Sequence, residues 1–333
     1  MLVVSLFRKT NMSITLKDLA KITGYSTITI SRAINHPELV KEKSLEKILH
    51  AISKYHYFPN NVAKALVYNR TNIIYLYIPY DLGPTNQFVM QVNAGIGSYL
   101  GDHGYSILIS KKWYQHEAVD GLILMGLTIE DEENLKNLAL EKPLVLFGHS
   151  DSADCIDVDN IKGMEIITEH AIQQGYKNIA FLGISESKKF TKDRYIGFKN
   201  ALERDGRKEN PNYTAFTDNN SEAGYMAGLR LLTKYPEIDC FVCSSDDLAA
   251  GVIQASRLCD REVPKTLGVT GFDGLGTDLI IKPNLTTIHQ PIFEVGVELA
   301  KLLIKKITHP KTNRVSVNYY LPQLKIGDST RKQ

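Results

Sequence analysis

The sequence predicts an all-α helix-turn-helix headpiece followed by an α/β core of two doubly wound parallel-sheet subdomains. Three observations carry that expectation. Between Thr15 and Tyr55 apolar residues recur at helix spacing in three successive stripes. From Asn72 onward short apolar runs alternate with helical patterns, the grammar of a parallel sheet covered by helices on both faces. The charge divides at the same place: residues 1–70 carry eleven Lys/Arg against four Asp/Glu, whereas residues 71–333 carry 28 against 33. A basic module on a mildly acidic body points to a polyanionic partner for the module alone.

The composition, 43% hydrophobic and 23% charged over 333 residues, is that of an ordinary globular chain with room for two or three domains. No apolar run is long enough for a transmembrane helix, so no membrane partner is expected. Residues 1–12 read as an N-terminal extension. Their apolar start is followed, not preceded, by Arg8 and Lys9, the reverse of a secretory signal; a second reading starts translation at Met12. Four cysteines are too few for a disulfide framework, which suggests a reducing cytoplasm. Cys240 and Cys243 are spaced like a metal or redox pair. They lie in the strand-like run IDCFVC, where residues three apart point to opposite faces and cannot share one ion.

In the first helical stretch Leu16, Leu19 and Ala20 form one stripe, and Thr15-x-x-Asp18 is a capping-box-like start. Thr23-Gly24-Tyr25 reads as a turn, and Ser26 is placed to cap a second helix beginning at Thr27. On that helix Ile30, Ala33 and Ile34 face inward. Thr27, Ile28, Ser31 and Arg32 share the opposite face, which has no acid. Leu45, Ile48, Leu49 and Ile52 make the stripe of a third, bracing helix. Two short helices joined by a Gly turn, plus a brace, describe a helix-turn-helix. Its outward face suits a major groove: Arg32 can bridge the two acceptors of guanine, while Thr27 and Ile28 offer methyls to thymine. Thr15, Ser26, Thr29, Ser31 and Asn35 offer hydroxyls and an amide to phosphates.

In the core the expected strands are IIYLYIP, YSILIS, VDGLILMG, KPLVLFG, NIAFLG, DCFVCSS and LGVTGFD, with LTTIHQ and SVNYYLP crossing back between the halves. The expected division is a headpiece over 13–58 and a hinge over 59–71. The core then comprises one subdomain of about 72–158 plus 288–318 and another of about 159–287 plus 319–330.

ITLKDLAKITGYSTITISRAIN followed by YFPNNVAKAL resembles the headpiece of the lactose-repressor/galactose-repressor (LacI/GalR) family. VDGLIL, IDVDN, EHAIQQGYKNIAFLG, RYIGFKNAL, SSDDLAAGV, LGVTGFDG and NLTTIHQP then resemble that family's core in order, so the likeness covers roughly residues 13–330. It implies a periplasmic-binding-protein-like core and a homodimer on palindromic double-stranded operator DNA. It also implies a small sugar or sugar-phosphate effector, no cofactor, no metal and no catalysis. Residues 60–67 would form a hinge helix on DNA, with Asn60 as cap, Ala63 at the hinge–hinge contact, Lys64 on phosphate and Leu66 wedged into a base step through the minor groove. The positions matching the family's effector residues are Pro79, Tyr80, Phe88, Arg194, Asn220, Ser245, Asp246, Asp273 and Gln290. A guanidinium fork and a carboxylate can each hold two sugar hydroxyls while an aromatic ring covers the apolar face.

The sequence departs from the pattern in places. Only KKWYQHEA separates the second and third strands, too short for a crossover helix. Gly274 stands where a second acid is usual, Ser245 where many members carry Asn, and Gly327 where Arg is usual. Enzyme readings find little support. GIGSYLG misses the dinucleotide fingerprint by one residue, no G-x-S-x-G or H-E-x-x-H occurs, and His149-Ser150-Asp151 are merely adjacent. Two further alternatives are a regulator whose co-signal is a protein partner or whose effector site is degenerate, and a sugar-binding protein without a DNA role.

Overall fold

The computed structural model describes residues 14–55, 57, 70–79, 86–309 and 315–332. It comprises two compact units, Met1–Thr71 and Asn72–Gln333.

In the first unit α1 (Leu16–Thr23) opens on a capping box. Thr15 Oγ1 accepts from the Asp18 amide, and the Asp18 carboxylate accepts from the Thr15 amide at 3.1 Å. Gly24, at φ 76°, ends the helix in the left-handed region. Ser26 Oγ then accepts the Thr29 amide at 3.1 Å and caps α2 (Thr27–Asn35). A single 3₁₀ turn at Pro37–Leu39 leads into α3 (Glu42–Lys54). Leu19, Ile30, Ala33, Ile48, Ala51 and Tyr57 are buried together as the core. Leu49 does not join the stripe expected of it: it is 48% exposed, because Ile48 and Ala51 already fill the inward face of α3.

The second unit holds two six-stranded sheets. The first has the order β11-β5-β4-β3-β1-β2, built from β1 (Ile73–Tyr77), β2 (Ser106–Ser110), β3 (Gly121–Met125), β4 (Leu144–Phe147), β5 (Cys155–Val158) and β11 (Val317–Tyr320). The second has the order β12-β10-β9-β8-β6-β7, from β6 (Ile179–Ile184), β7 (Thr214–Thr217), β8 (Cys240–Cys243), β9 (Gly268–Asp273), β10 (Thr286–His289) and β12 (Gln323–Lys325). Among the described residues all pairings are parallel except β10–β12. The strands of both interiors are near-continuous apolar runs, as sheets covered on both faces require. The chain passes between the sheets after Val158, after His289 and after Tyr320.

Helices α4 (Gln87–Asp102) and α11 (Ile292–Thr308) cover one face of the first sheet, α5 (Glu132–Glu141) packs on the other, and α10 (Thr277–Ile280) is a single turn after β9. Helices α4 and α11 approach so closely that a Cβ on Gly95 would meet the Phe293 carbonyl at 2.1 Å. This accounts for the first glycine of GIGSYLG: it serves helix packing inside α4, not phosphate binding. On the other face, residues 111–120 between β2 and β3 contain no helix. Aromatic packing replaces it. The Tyr75 hydroxyl donates to the Lys112 carbonyl at 2.7 Å, Tyr114 meets Tyr75 edge-on at 5.5 Å, and Trp113 meets Tyr77 at 5.4 Å. Leu108 and Ile109 of the edge strand stay exposed.

In the second sheet α6 (Asn160–Gln173) and α7 (Lys189–Arg204) flank one face, and α8 (Ser221–Lys234) and α9 (Asp246–Leu258) the other. Cys240 and Cys243 fall into different core clusters on opposite faces of β8, as the strand reading expected. Three strands were not foreseen: β5, β7 and β12, each of four residues or fewer.

Candidate functional site

The headpiece presents the face foreseen for it. Ile28 is 64% exposed and Arg32 is exposed, while Thr27 and Ser31 are half-buried beside them. An exposed isoleucine on this face leaves a branched apolar side chain of the kind that can meet a thymine methyl in a major groove. The proposed phosphate contacts are less uniform. Ser26 and Thr29 share a hydroxyl contact of 2.9 Å at the N-terminus of α2, where a phosphate can be received. The Thr15 hydroxyl donates to the Asp18 carboxylate at 2.6 Å, so its proton is already used beside an acid. The side chain of Asn35, and Asn60, Ala63, Lys64 and Leu66 of the hinge, lie outside the described residues.

Between the sheets of the second unit is a cavity of about 540 Å³, within the roughly 300–1,000 Å³ typical of small-molecule sites. Phe88, Arg194, Asp246, Asp273 and Gln290 line it. Tyr80 lies outside the described residues, and three other expected residues are placed elsewhere. Pro79 is not among the lining residues. Asn220 is the exposed N-cap of α8, accepting the Ala223 amide at 2.8 Å; its neighbour Asn219 lines the cavity instead. Ser245 caps α9 by accepting the Leu248 amide at 3.2 Å, and its hydroxyl donates to Asn219 Oδ1 at 2.6 Å. Ser245 therefore stands behind the wall rather than in it.

Arg194 organises the cavity. Its Nε donates to Asn160 Oδ1 at 2.9 Å, and its Nη1 donates to the Ser244 carbonyl at 2.6 Å and reaches Asp273 Oδ1 at 3.5 Å. Its Cζ lies 3.8 Å from the Phe272 ring centroid and 4.9 Å from that of Phe190. A guanidinium so gripped is preorganised, and Nη2 is not used by these bonds. Asp273 also accepts from Gln290 Nε2 at 2.7 Å. Asp246 accepts from the Thr287 hydroxyl at 2.6 Å and from the Gly274 amide at 2.8 Å.

Asp157, Asn160, Phe147, Phe190, Asn219 and Asp247 also line the cavity and were not foreseen. Burial in this wall pushes the Asp157 carboxyl up to about 7 and that of Asp273 up to about 6, the latter against the opposing pull of Arg194. Burial, with Asp273 close by, raises Asp246 as well. Asp273 has a φ of 127°, a strained backbone for a residue with a side chain, and such strain clusters where ligands are held.

Gly274 follows at φ 62°, and a Cβ there would meet the backbone of His289 at 2.7 Å. A side chain at that position would be strained in this backbone and crowded by His289. A Cβ on Gly327 would meet the Asn284 carbonyl at 2.4 Å, so that departure too has a packing cause. His149, Ser150 and Asp151 also line the cavity: Ser150 Oγ accepts the amides of Ser152 and Ala153, His149 Nδ1 meets the Tyr319 hydroxyl, and His149 Nε2 lies 3.5 Å from the Asp151 carboxylate.

Residues 15–60 match the family model for bacterial regulatory proteins of the lacI family, and residues 168–330 match that for a periplasmic binding protein-like domain. The HTH-type transcriptional regulator YvdE of Bacillus subtilis (strain 168) is 35% identical over 319 residues, covering 95% of this chain and 99% of that protein. The chain belongs to the lacI family of bacterial regulatory proteins. The lacI-family assignment makes it a transcriptional regulator rather than an enzyme. The HTH-type transcriptional regulator RegA of Clostridium saccharobutylicum is 32% identical, covering 88% of this chain and 92% of its own. The fold matches the lac repressor dimer bound to operator and the anti-inducer ONPF, with a TM-score of 0.83 at 22% identity over 96% of this chain and 99% of that one. It also matches the regulator CelR in complex with cellobiose, with a TM-score of 0.70 at 24% identity over 95% and 99%.

Proposed function

We propose that this lacI-family regulator is a repressor of carbohydrate-utilisation genes that binds a palindromic operator as a homodimer in the cytoplasm. The observation that carries the reading is the acid-free outward face of α2, with Ile28 and Arg32 exposed on a helix capped at its N-terminus by Ser26. A single headpiece reads one half-site, and a two-fold pair reads a palindrome. The ribose operon repressor of Halalkalibacterium halodurans, 29% identical over 309 residues, and the operator-bound lac repressor support the same reading.

The cavity between the sheets is the effector site, with Arg194, Asp273 and Gln290 at its centre. Three chain crossings join the halves around it, so a ligand that touches both favours one relative orientation and shifts the population of DNA-binding states. Coupling of roughly 1–3 kcal/mol corresponds to about 5- to 150-fold in operator affinity. Selection of bound duplexes from a random-sequence pool, followed by sedimentation of the winning duplex with the full chain, tests the reading. A palindrome carrying two chains is expected; a preference for non-palindromic sequence, or one chain per duplex, contradicts it.

A further inference from the structure

The charges lining the effector cavity narrow the ligand beyond a sugar or sugar phosphate. Six carboxylates line it: Asp151, Asp157, Glu186, Asp246, Asp247 and Asp273. Three cations accompany them, and each already has an anionic partner. Lys188, almost fully buried, lies 2.8 Å from Glu186; Lys189 lies 2.7 Å from Asp193; Arg194 faces Asp273 and is otherwise held by Asn160 and the Ser244 carbonyl. The N-terminus of α9, which would otherwise attract an anion, carries Asp246 and Asp247 in its own first turn. The wall is therefore rich in acceptors and has no uncommitted positive charge among the described residues.

From this we infer that the cavity takes an uncharged oligosaccharide of two or more rings and rejects phosphorylated sugars. Hydroxyl groups are donors that match a wall of carboxylates, and they bring no charge to be repelled. A phosphate dianion brings negative charge to a wall whose three cations are already paired, so it would enter without a cationic partner, which opposes its binding. Phe88, which packs on Phe147 at a centroid distance of 5.0 Å, and Phe190 supply aromatic surface for the apolar faces of sugar rings. A cavity of about 540 Å³ is of the size that holds drug-sized ligands, and a single pyranose would leave most of it to water. The inference rests on the cavity being the effector site, and it names the class of effector.

Isothermal titration calorimetry of the full chain tests it. The probes are uncharged di- and trisaccharides of glucose, galactose, fructose and xylose, set against glucose, ribose, glucose 6-phosphate, trehalose 6-phosphate and sucrose 6-phosphate. At least one uncharged di- or trisaccharide is expected to bind more tightly than every sugar phosphate, by about tenfold or more, a difference of about 1.4 kcal/mol. Glu186→Gln, which releases the charge of Lys188, is expected to narrow that ratio several-fold. A sugar phosphate that binds as tightly, binding confined to monosaccharides, or no binding of any uncharged saccharide overturns the inference. An unchanged ratio in E186Q overturns the neutral pairing of Lys188. The same preparation is tested for operator binding. Operator binding with a response to a phosphate ester sinks the ligand class alone, whereas saccharide binding with no DNA preference sinks the regulator reading alone.

Discussion

The guanidinium carbon of Arg194 lies 3.8 Å from the ring centroid of Phe272, and its Nη1 reaches Asp273, the next residue in the chain. In a regular strand consecutive side chains point to opposite faces. The positive φ of Asp273 breaks that alternation at the end of β9, so the ring that supports the guanidinium and the carboxylate that answers it come from adjacent residues. Replacing Arg194 with Met removes the cation and leaves Asp157, Asp246 and Asp273 without it. Removing one partner of a buried charged group destabilises by about 3–5 kcal/mol. Urea unfolding at pH 7 should show a loss of that order, and the loss should shrink at pH 5, where protonated carboxyls no longer need the partner. An equal loss at both pH values contradicts this account.

The raised carboxyls predict an inverted pH dependence. Asp157 titrates at about 7 and Asp273 at about 6 in the folded chain, against an ordinary value of 3.8. The folded state thus holds more protons than the unfolded one between about pH 4 and pH 7, and stability falls as pH rises through that window. Thermal unfolding should give a higher midpoint at pH 5 than at pH 8 from these groups, and Asp157→Asn should flatten the difference. A variant as steep as wild type would show that Asp157 is charged throughout.

Gly274→Asp restores the acid usual in the family and should be unfavourable here. The residue adopts φ 62°, its Cβ would press on the His289 backbone, and its amide donates to Asp246. Left-handed strain alone costs roughly 1–3 kcal/mol. The urea midpoint should fall accordingly; an unchanged midpoint would show that the loop relaxes freely.

Ser26→Ala tests the platform of the reading helix. Loss of an N-cap oxygen costs about 1 kcal/mol of helix stability. Specific DNA affinity should fall by several-fold with no change in which sequence is preferred, and a changed preference would make Ser26 a base reader.

The headpiece was the most legible part of the sequence, because caps, turn and stripes are local signals. Thr15-x-x-Asp18, Gly24 and Ser26 all do in the structure what their spacing implies. Leu49 was misassigned because a stripe of four apolar residues does not say how wide the covering surface is. In the core, β7 and β12 were missed because TAFT and QLK are short, half-exposed edge strands with no apolar run. The cavity was half legible. Arg194, Asp273 and Gln290 stand in motifs that resemble the family's, but Asn219 and Asn220 are indistinguishable until it is known which of them caps α8. Asp157 and Asn160 lie in the quoted IDVDN, yet nothing local tells which end of β5 opens toward the second sheet.

The most direct measurement is the affinity of the full chain for a duplex from upstream of its own gene, with wild type and Arg32→Ala compared over a salt series. Replacing a guanine-reading Arg should cost about 1–3 kcal/mol on the specific site. Weak, salt-dependent binding to unrelated duplex should remain nearly as it was, because phosphate contacts supply it. If Arg32→Ala weakens specific and unrelated duplexes equally, or neither, α2 does not read bases and the central claim fails.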